Sequence, residues 1–101
     1  MNFEIRHRFT NEVIFIAKID ANKDCGYSLK LGMAVRQAIK QGVSLRGANL
    51  EGVYLEGSHL VNANLGGVDL RYADLKDVTF KSTGIKDVNL KGAFVDGVLH
   101  E

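Results

Sequence analysis

The chain has a single cysteine, Cys25, so no internal disulfide can hold it together. Cys25 lies in the polar stretch Asn22-Lys23-Asp24-Cys25-Gly26 with no partner, the setting of an incidental free thiol and not of a redox centre. Long apolar runs are missing too. The longest, Val13 to Ala17, falls far short of the ~20 residues of a membrane-spanning helix. Met1-Asn2-Phe3-Glu4-Ile5-Arg6 carries charges where a secretory signal needs an apolar core, so a cytoplasmic location is expected. Catalytic constellations are equally scarce. His7, His59 and His100 fall in three different environments, and none has the spacing to Cys25 or to carboxylates that a zinc site or a nucleophilic triad requires. Gly66-Gly67 is followed by neither a lysine-serine pair nor a helix, so it is no phosphate loop. The sequence therefore points away from an enzyme and calls for no metal and no cofactor.

What the chain does have is a period of five. Leu45, Leu50, Leu55, Leu60, Leu65, Leu70, Leu75, Phe80, Ile85, Leu90 and Val95 are all large and apolar. Two residues before each stands a small or β-branched residue, from Val43 and Ala48 through Ala73 to Ala93, and Val98 continues the series. A helix cannot use this pattern, because a step of five at 3.6 residues per turn carries the apolar position around the axis. A strand accounts for the inward pair, such as Val68 and Leu70, but not for the jump of three to Ala73. The chain must turn between pairs. The residue two after each large one is Gly47, Gly52, Gly57, Gly67, Gly92 or Gly97, or a polar residue such as Asn62, Asp77, Ser82 or Asp87, all of which tolerate corners. Tyr72 is the one departure.

Units such as Ala48-Asn49-Leu50, Ala63-Asn64-Leu65 and Ala73-Asp74-Leu75 resemble the A(D/N)LXX motif of the pentapeptide-repeat proteins, over Val43 to Val98. The resemblance implies a mainly β fold, a right-handed quadrilateral β-helix in which four units make one coil and residues twenty apart stack at about 4.8 Å. This chain has room for about three coils. On that geometry the inward columns read Leu45/Leu65/Ile85, Leu50/Leu70/Leu90, Leu55/Leu75/Val95 and Leu60/Phe80, and no charge enters any of them.

Residues 1–42 read as a cover for the first coil, whose strand edges would otherwise be open, and 43–101 as the solenoid, the two forming one compact unit. Phe3, Ile5, His7 and Phe9 alternate with Glu4, Arg6 and Arg8, and Val13, Phe15, Ala17 and Ile19 alternate again, the pattern of a β-hairpin. A helix is expected from about Leu29 to Gln41, capped by Ser28, ended by Gly42 and burying Leu31, Val35, Ala38 and Ile39. Gly32 costs such a helix ~1 kcal/mol and suits a close approach. Strand, strand, helix starts of this kind resemble those of short phage and prophage members of the family.

Charge supplies the remaining functional signal. Arg71, Lys76, Lys81, Lys86 and Lys91 follow the large apolar residue in five successive repeats and would run a basic band around the solenoid. Stacking sets Arg71 beside Glu51 and Lys76 between Glu56 and Asp96, which neutralises part of that band, so direct nucleic-acid binding is a minor expectation. Asp69, Asp74, Asp77, Asp87 and Asp96 are candidates for an acidic face toward a protein partner. Some pentapeptide-repeat proteins imitate DNA and occupy gyrase; a short solenoid of net charge −2 departs from them. Two classes are expected: a non-enzymatic binding module, such as a phage-type inhibitor or partial DNA mimic acting on a topoisomerase, a defence nuclease or a CRISPR effector, or a self-associating scaffold. Phe94 and Leu99, apolar at outward positions, with inward Val95 and Val98, suggest a homodimer through the C-terminal coil.

Overall fold

The computed structural model describes residues 1–20, 25–80 and 83–96. Strands β1 (Asn2–Arg6) and β2 (Val13–Lys18) form an antiparallel hairpin. Helix α1 (Tyr27–Lys40) follows, and the short strands β3 (Asp74–Leu75) and β4 (Phe94–Val95) pair in parallel.

Alternation works in the hairpin where the ladder is regular, burying Phe3, Ile5, Ala17 and Ile19. It fails at the turn end for an identifiable reason. Ile5 pairs with Phe15 and Arg6 with Val13, so Ile14 is an extra residue, a β-bulge that turns the strand. Ile14 and Phe15 both end half-buried against the core, and Val13, expected to face inward, is exposed. Phe9 does not continue β1 either. It lies in the connecting turn, 79% exposed, where His7 Nδ1 accepts its N–H at 3.1 Å and Asn11 takes φ 62°.

Helix α1 starts two residues before the expected Leu29. Its N-cap is Gly26, which makes no side-chain cap, so Ser28 is not the cap but part of the first turn; its carbonyl accepts the Tyr54 N–H at 3.2 Å. The C-terminus behaves as the sequence implied. Val43 N–H bonds to Ala38 O and Gly42 N–H to Ile39 O, with Gly42 at φ 74°, which is a Schellman ending. The buried face is Leu31, Gly32, Ala34, Val35 and Ala38, with Ile39 half-buried. Gly32 is there for contact: a Cβ on it would stand 2.0 Å from the Tyr54 carbonyl oxygen.

In the repeat region, Asn49 pairs in parallel with Asp69 and Asp69 with Asn89, Tyr54 with Asp74 and Asp74 with Phe94, His59 with Thr79, and Asn64 with Gly84. Every pair is twenty residues apart. The strands are very short because each five-residue unit also contains a turn. Leu45 O accepts the Ala48 N–H, and the same bond recurs through Leu90 and Ala93. The third residue of these turns has positive φ, between 57° and 74° at Gly47, Gly52, Gly57, Asn62, Gly67, Tyr72, Asp77, Asp87 and Gly92, as type II turns require. The Asn or Asp of the repeat completes the corner. Side-chain oxygens of Asn49, Asn64, Asp69, Asp74 and Asn89 accept the backbone N–H two residues on, at 3.0–3.2 Å. The arrangement is a β-helix-like stack.

Its interior follows the expected columns. Leu45 to Leu75 are fully buried at every fifth position, and Phe80 nearly so, whereas Ile85, Leu90 and Val95 are half-buried. Burying each such side chain contributes about 1.5–3 kcal/mol. Two polar residues enter and are satisfied: the Thr83 hydroxyl donates to Leu60 O, and Ser58 Oγ accepts the Arg36 Nε–H at 2.8 Å. The hairpin and helix lie along the first row of repeats. Asn49 N–H bonds to Arg6 O and Arg8 N–H to Gly47 O, both at 2.8 Å, while His7 packs on Gly47 so closely that a Cβ there would lie 2.5 Å from its Nε2.

Candidate functional site

Outward positions of the repeats carry the side chains that the stack itself does not use, so the candidate acidic, basic and apolar residues have to be located there. Asp69 is not among them. Expected to point to water, it is instead 3% exposed. Both its oxygens accept from Arg71, at 2.8–3.1 Å, and Arg71 Nη2 reaches on to Glu51 at 2.9 Å. The Arg71 guanidinium holds the Asp69 carboxyl below its usual range against the opposing effect of burial, with Arg8 adding a smaller lowering. Proximity in sequence accounts for the burial: Arg71 stands two residues after Asp69, where the turn folds it back over the carboxylate.

The other carboxylates divide between two sides. Asp74, Asp77 and Asp96 come together, for Asp96 Oδ1 accepts the Asp77 N–H at 2.7 Å and Asp74 stands in the row beneath Phe94. Asp87 occupies a different corner, twenty residues from Gly67. No single face holds all five.

The basic band is dispersed as well. Arg71 is engaged by Asp69 and Glu51, and Lys91 lies exposed in the same column, twenty residues on. Lys76 and Lys86 are exposed at other corners, and Lys81 lies outside the described residues. The stacking of Lys76 between Glu56 and Asp96 produces no ion pair among the described residues; Glu56 instead accepts the Tyr54 hydroxyl at 3.2 Å. That bond, with the Glu56 charge and smaller effects of burial and Asp74, raises the Tyr54 pKa.

Of the four candidate interface residues, Phe94 is 56% exposed and Val95 half-buried, while Val98 and Leu99 lie outside the described residues. Sequence reasoning missed two contributors. Arg8 crosses from the hairpin to donate to Gly67 O at 3.0 Å, with its guanidinium 4.5 Å from the Phe9 ring centroid. Tyr72 was noticed as an exception, but nothing in the sequence said that its ring would be 60% exposed at a left-handed corner. A groove of about 350 Å³ runs between α1 and the next corner, lined by Arg36, Ile39, Lys40 and residues 56–59. Its charges are mixed.

A family model described as pentapeptide repeats, in 8 copies, matches residues 48–83 and 58–97. No curated protein matches the chain. No helix among the described residues is long and apolar enough to cross a membrane. The twenty-residue pairing, the left-handed corners and the matched repeats agree, and the chain belongs to the pentapeptide-repeat family.

Proposed function

We propose that the protein is a non-enzymatic protein-binding module working in the cytoplasm. On this reading residues 43–101 complete a right-handed quadrilateral solenoid of about three coils, with residues 1–42 as its cap, and the outward side chains make the contacts. One observation carries it. Tyr72 and Phe94 stay 60% and 56% exposed, with Asp74 two residues from Tyr72 and paired with Phe94, in a stack whose inward positions already meet the needs of folding. Exposed aromatics on a rigid frame favour binding because little side-chain freedom is lost on contact. The narrower form of the proposal is a phage-type inhibitor or partial DNA mimic acting on a DNA-handling host enzyme. It draws on Asp74, Asp77 and Asp96, without Asp69. Affinity capture from bacterial lysate with wild type and Phe94→Lys tests the module: a defined partner lost in the variant supports it, and recovery of the bait alone speaks against it.

A second reading, self-association through the C-terminal coil, is favoured by the half-burial of Ile85, Leu90 and Val95, whose counterparts twenty residues earlier are fully buried. A homodimer meeting there would cover them together with Phe94. Light scattering should then give twice the 11.1 kDa chain mass, and Phe94→Lys should give a folded monomer. A wild-type monomer at high micromolar concentration contradicts the dimer and leaves the first reading in place.

A further inference from the structure

Tyr72 is the corner residue least suited to its backbone. It stands at φ 61°, where the other described corners hold glycine, asparagine or aspartate, and a bulky residue in that region is under strain. The next coil makes room for it. A Cβ at Gly92 would meet Tyr72 Cδ1 at 2.5 Å and Cε1 at 2.6 Å, so the ring lies on the glycine and a larger residue there would displace it. Burial does not account for the arrangement, since the ring remains largely exposed. Strain retained at an exposed aromatic side chain is a feature that accompanies contact surfaces.

The surroundings of Tyr72 indicate what would lie on it. Tyr54, Asp74 and Phe94 stand in one outward column, and Glu56 and Asp96 flank it. In the rows 53–56, 73–76 and 93–96 Lys76 is the one cation against three carboxylates, and on the other side of the Tyr72 corner the charges of Arg71 and Lys91 are balanced by Asp69 and Glu51, both of which pair with Arg71. Arg36 approaches the Tyr54 end from α1, but its Nε–H is committed to Ser58. The raised Tyr54 pKa, caused first by its hydrogen bond to Glu56, agrees with a negative local potential.

We infer that this lateral face binds a basic, arginine-bearing segment of a protein partner, with a guanidinium stacked on the Tyr72 ring and its charge met by Asp74, while a second basic side chain of the segment meets Asp96 at the far end of the row. Arginine suits the site better than lysine because its planar cation stacks on an aromatic ring while its N–H groups reach carboxylates. The inference rests on the protein-binding reading and names the chemistry of the partner.

Fluorescence anisotropy with labelled twelve-residue peptides of alternating arginine and serine, lysine and serine, or glutamate and serine tests it. The arginine peptide should bind, more weakly as salt rises, with the lysine peptide weaker and the glutamate peptide not bound. Tyr72→Asn, which removes the ring and tolerates the corner, should weaken arginine-peptide binding about tenfold without lowering Tm. Asp74→Asn, which keeps an oxygen for the Lys76 N–H, should weaken it about threefold. Equal binding to wild type and Tyr72→Asn, or no arginine-peptide binding at low salt, overturns the inference. A captured partner that Tyr72→Asn still retains would overturn this face alone and leave the protein-binding reading standing.

Discussion

Asp69 and Leu70 are adjacent, and the stack gives them different work. Leu70 is fully buried between the rows of Leu50 and Leu90, so Leu70→Asp places an unpaired carboxylate in an apolar column. That substitution should cost several kcal/mol or unfold the coil. Asp69→Ala removes both an ion pair to a half-exposed arginine and the corner acceptor for the Arg71 N–H, for about 1–2 kcal/mol. Asp69→Asn keeps the acceptor and should lose less. Thermal melts of the three variants check the order. The pH dependence follows from the same pair. The folded pKa of Asp69 lies below the unfolded value of about 3.9, so its stabilisation is fully present above that value and is lost as pH falls through the folded pKa. Acid unfolding curves should show a weaker decline below about pH 4 in Asp69→Asn than in wild type. The inward column was legible in the sequence because a period of five has few physical solutions. The burial of Asp69 was not, because a five-residue pattern says which side a residue leaves from and not what folds back over it.

Among the elements, α1 shows how far propensity can mislead. Replacing Gly32 by alanine would favour an isolated helix by about 1 kcal/mol. In the protein the added Cβ meets a backbone oxygen at 2.0 Å, which cannot rotate away as a side chain would. The helix must then lift from the first row of repeats, and the sterics should win: Gly32→Ala is expected to be destabilising by about 1–3 kcal/mol. A Tm lowered by several degrees is the expected result, and a raised Tm would show that the helix does not sit against Tyr54. The existence of the hairpin, the helix and its glycine ending could all be read from the sequence. The bulge at Ile14 could not, since it is set by the register against β1, and neither could the early start at Tyr27, where the Gly26 carbonyl takes the Lys30 N–H and closes a first turn without a side-chain cap. The exposed Phe9 follows from that bulged end of the hairpin, where the ladder gives way to a turn closed by His7.

In the whole molecule, stacking at twenty residues brings together side chains that are remote in the chain, and the proposed face exists only because of it. Tyr54, Asp74 and Phe94 belong to three different repeats, and the Tyr72 ring finds its place on Gly92 in the following coil. The β-helix-like stacking was legible because the repeat is strict; the face was not, because outward positions follow no rule that the fold enforces. The most direct test is a titration of the ¹⁵N-labelled protein with the arginine-serine peptide, followed through its backbone amide resonances. The amides of residues 54–56, 72–76 and 92–96 should shift together, in three stretches separated by about twenty residues, while those of β1, β2 and residues 63–66 remain in place. Shifts confined to one contiguous stretch, centred elsewhere, or absent at saturating peptide would contradict the account.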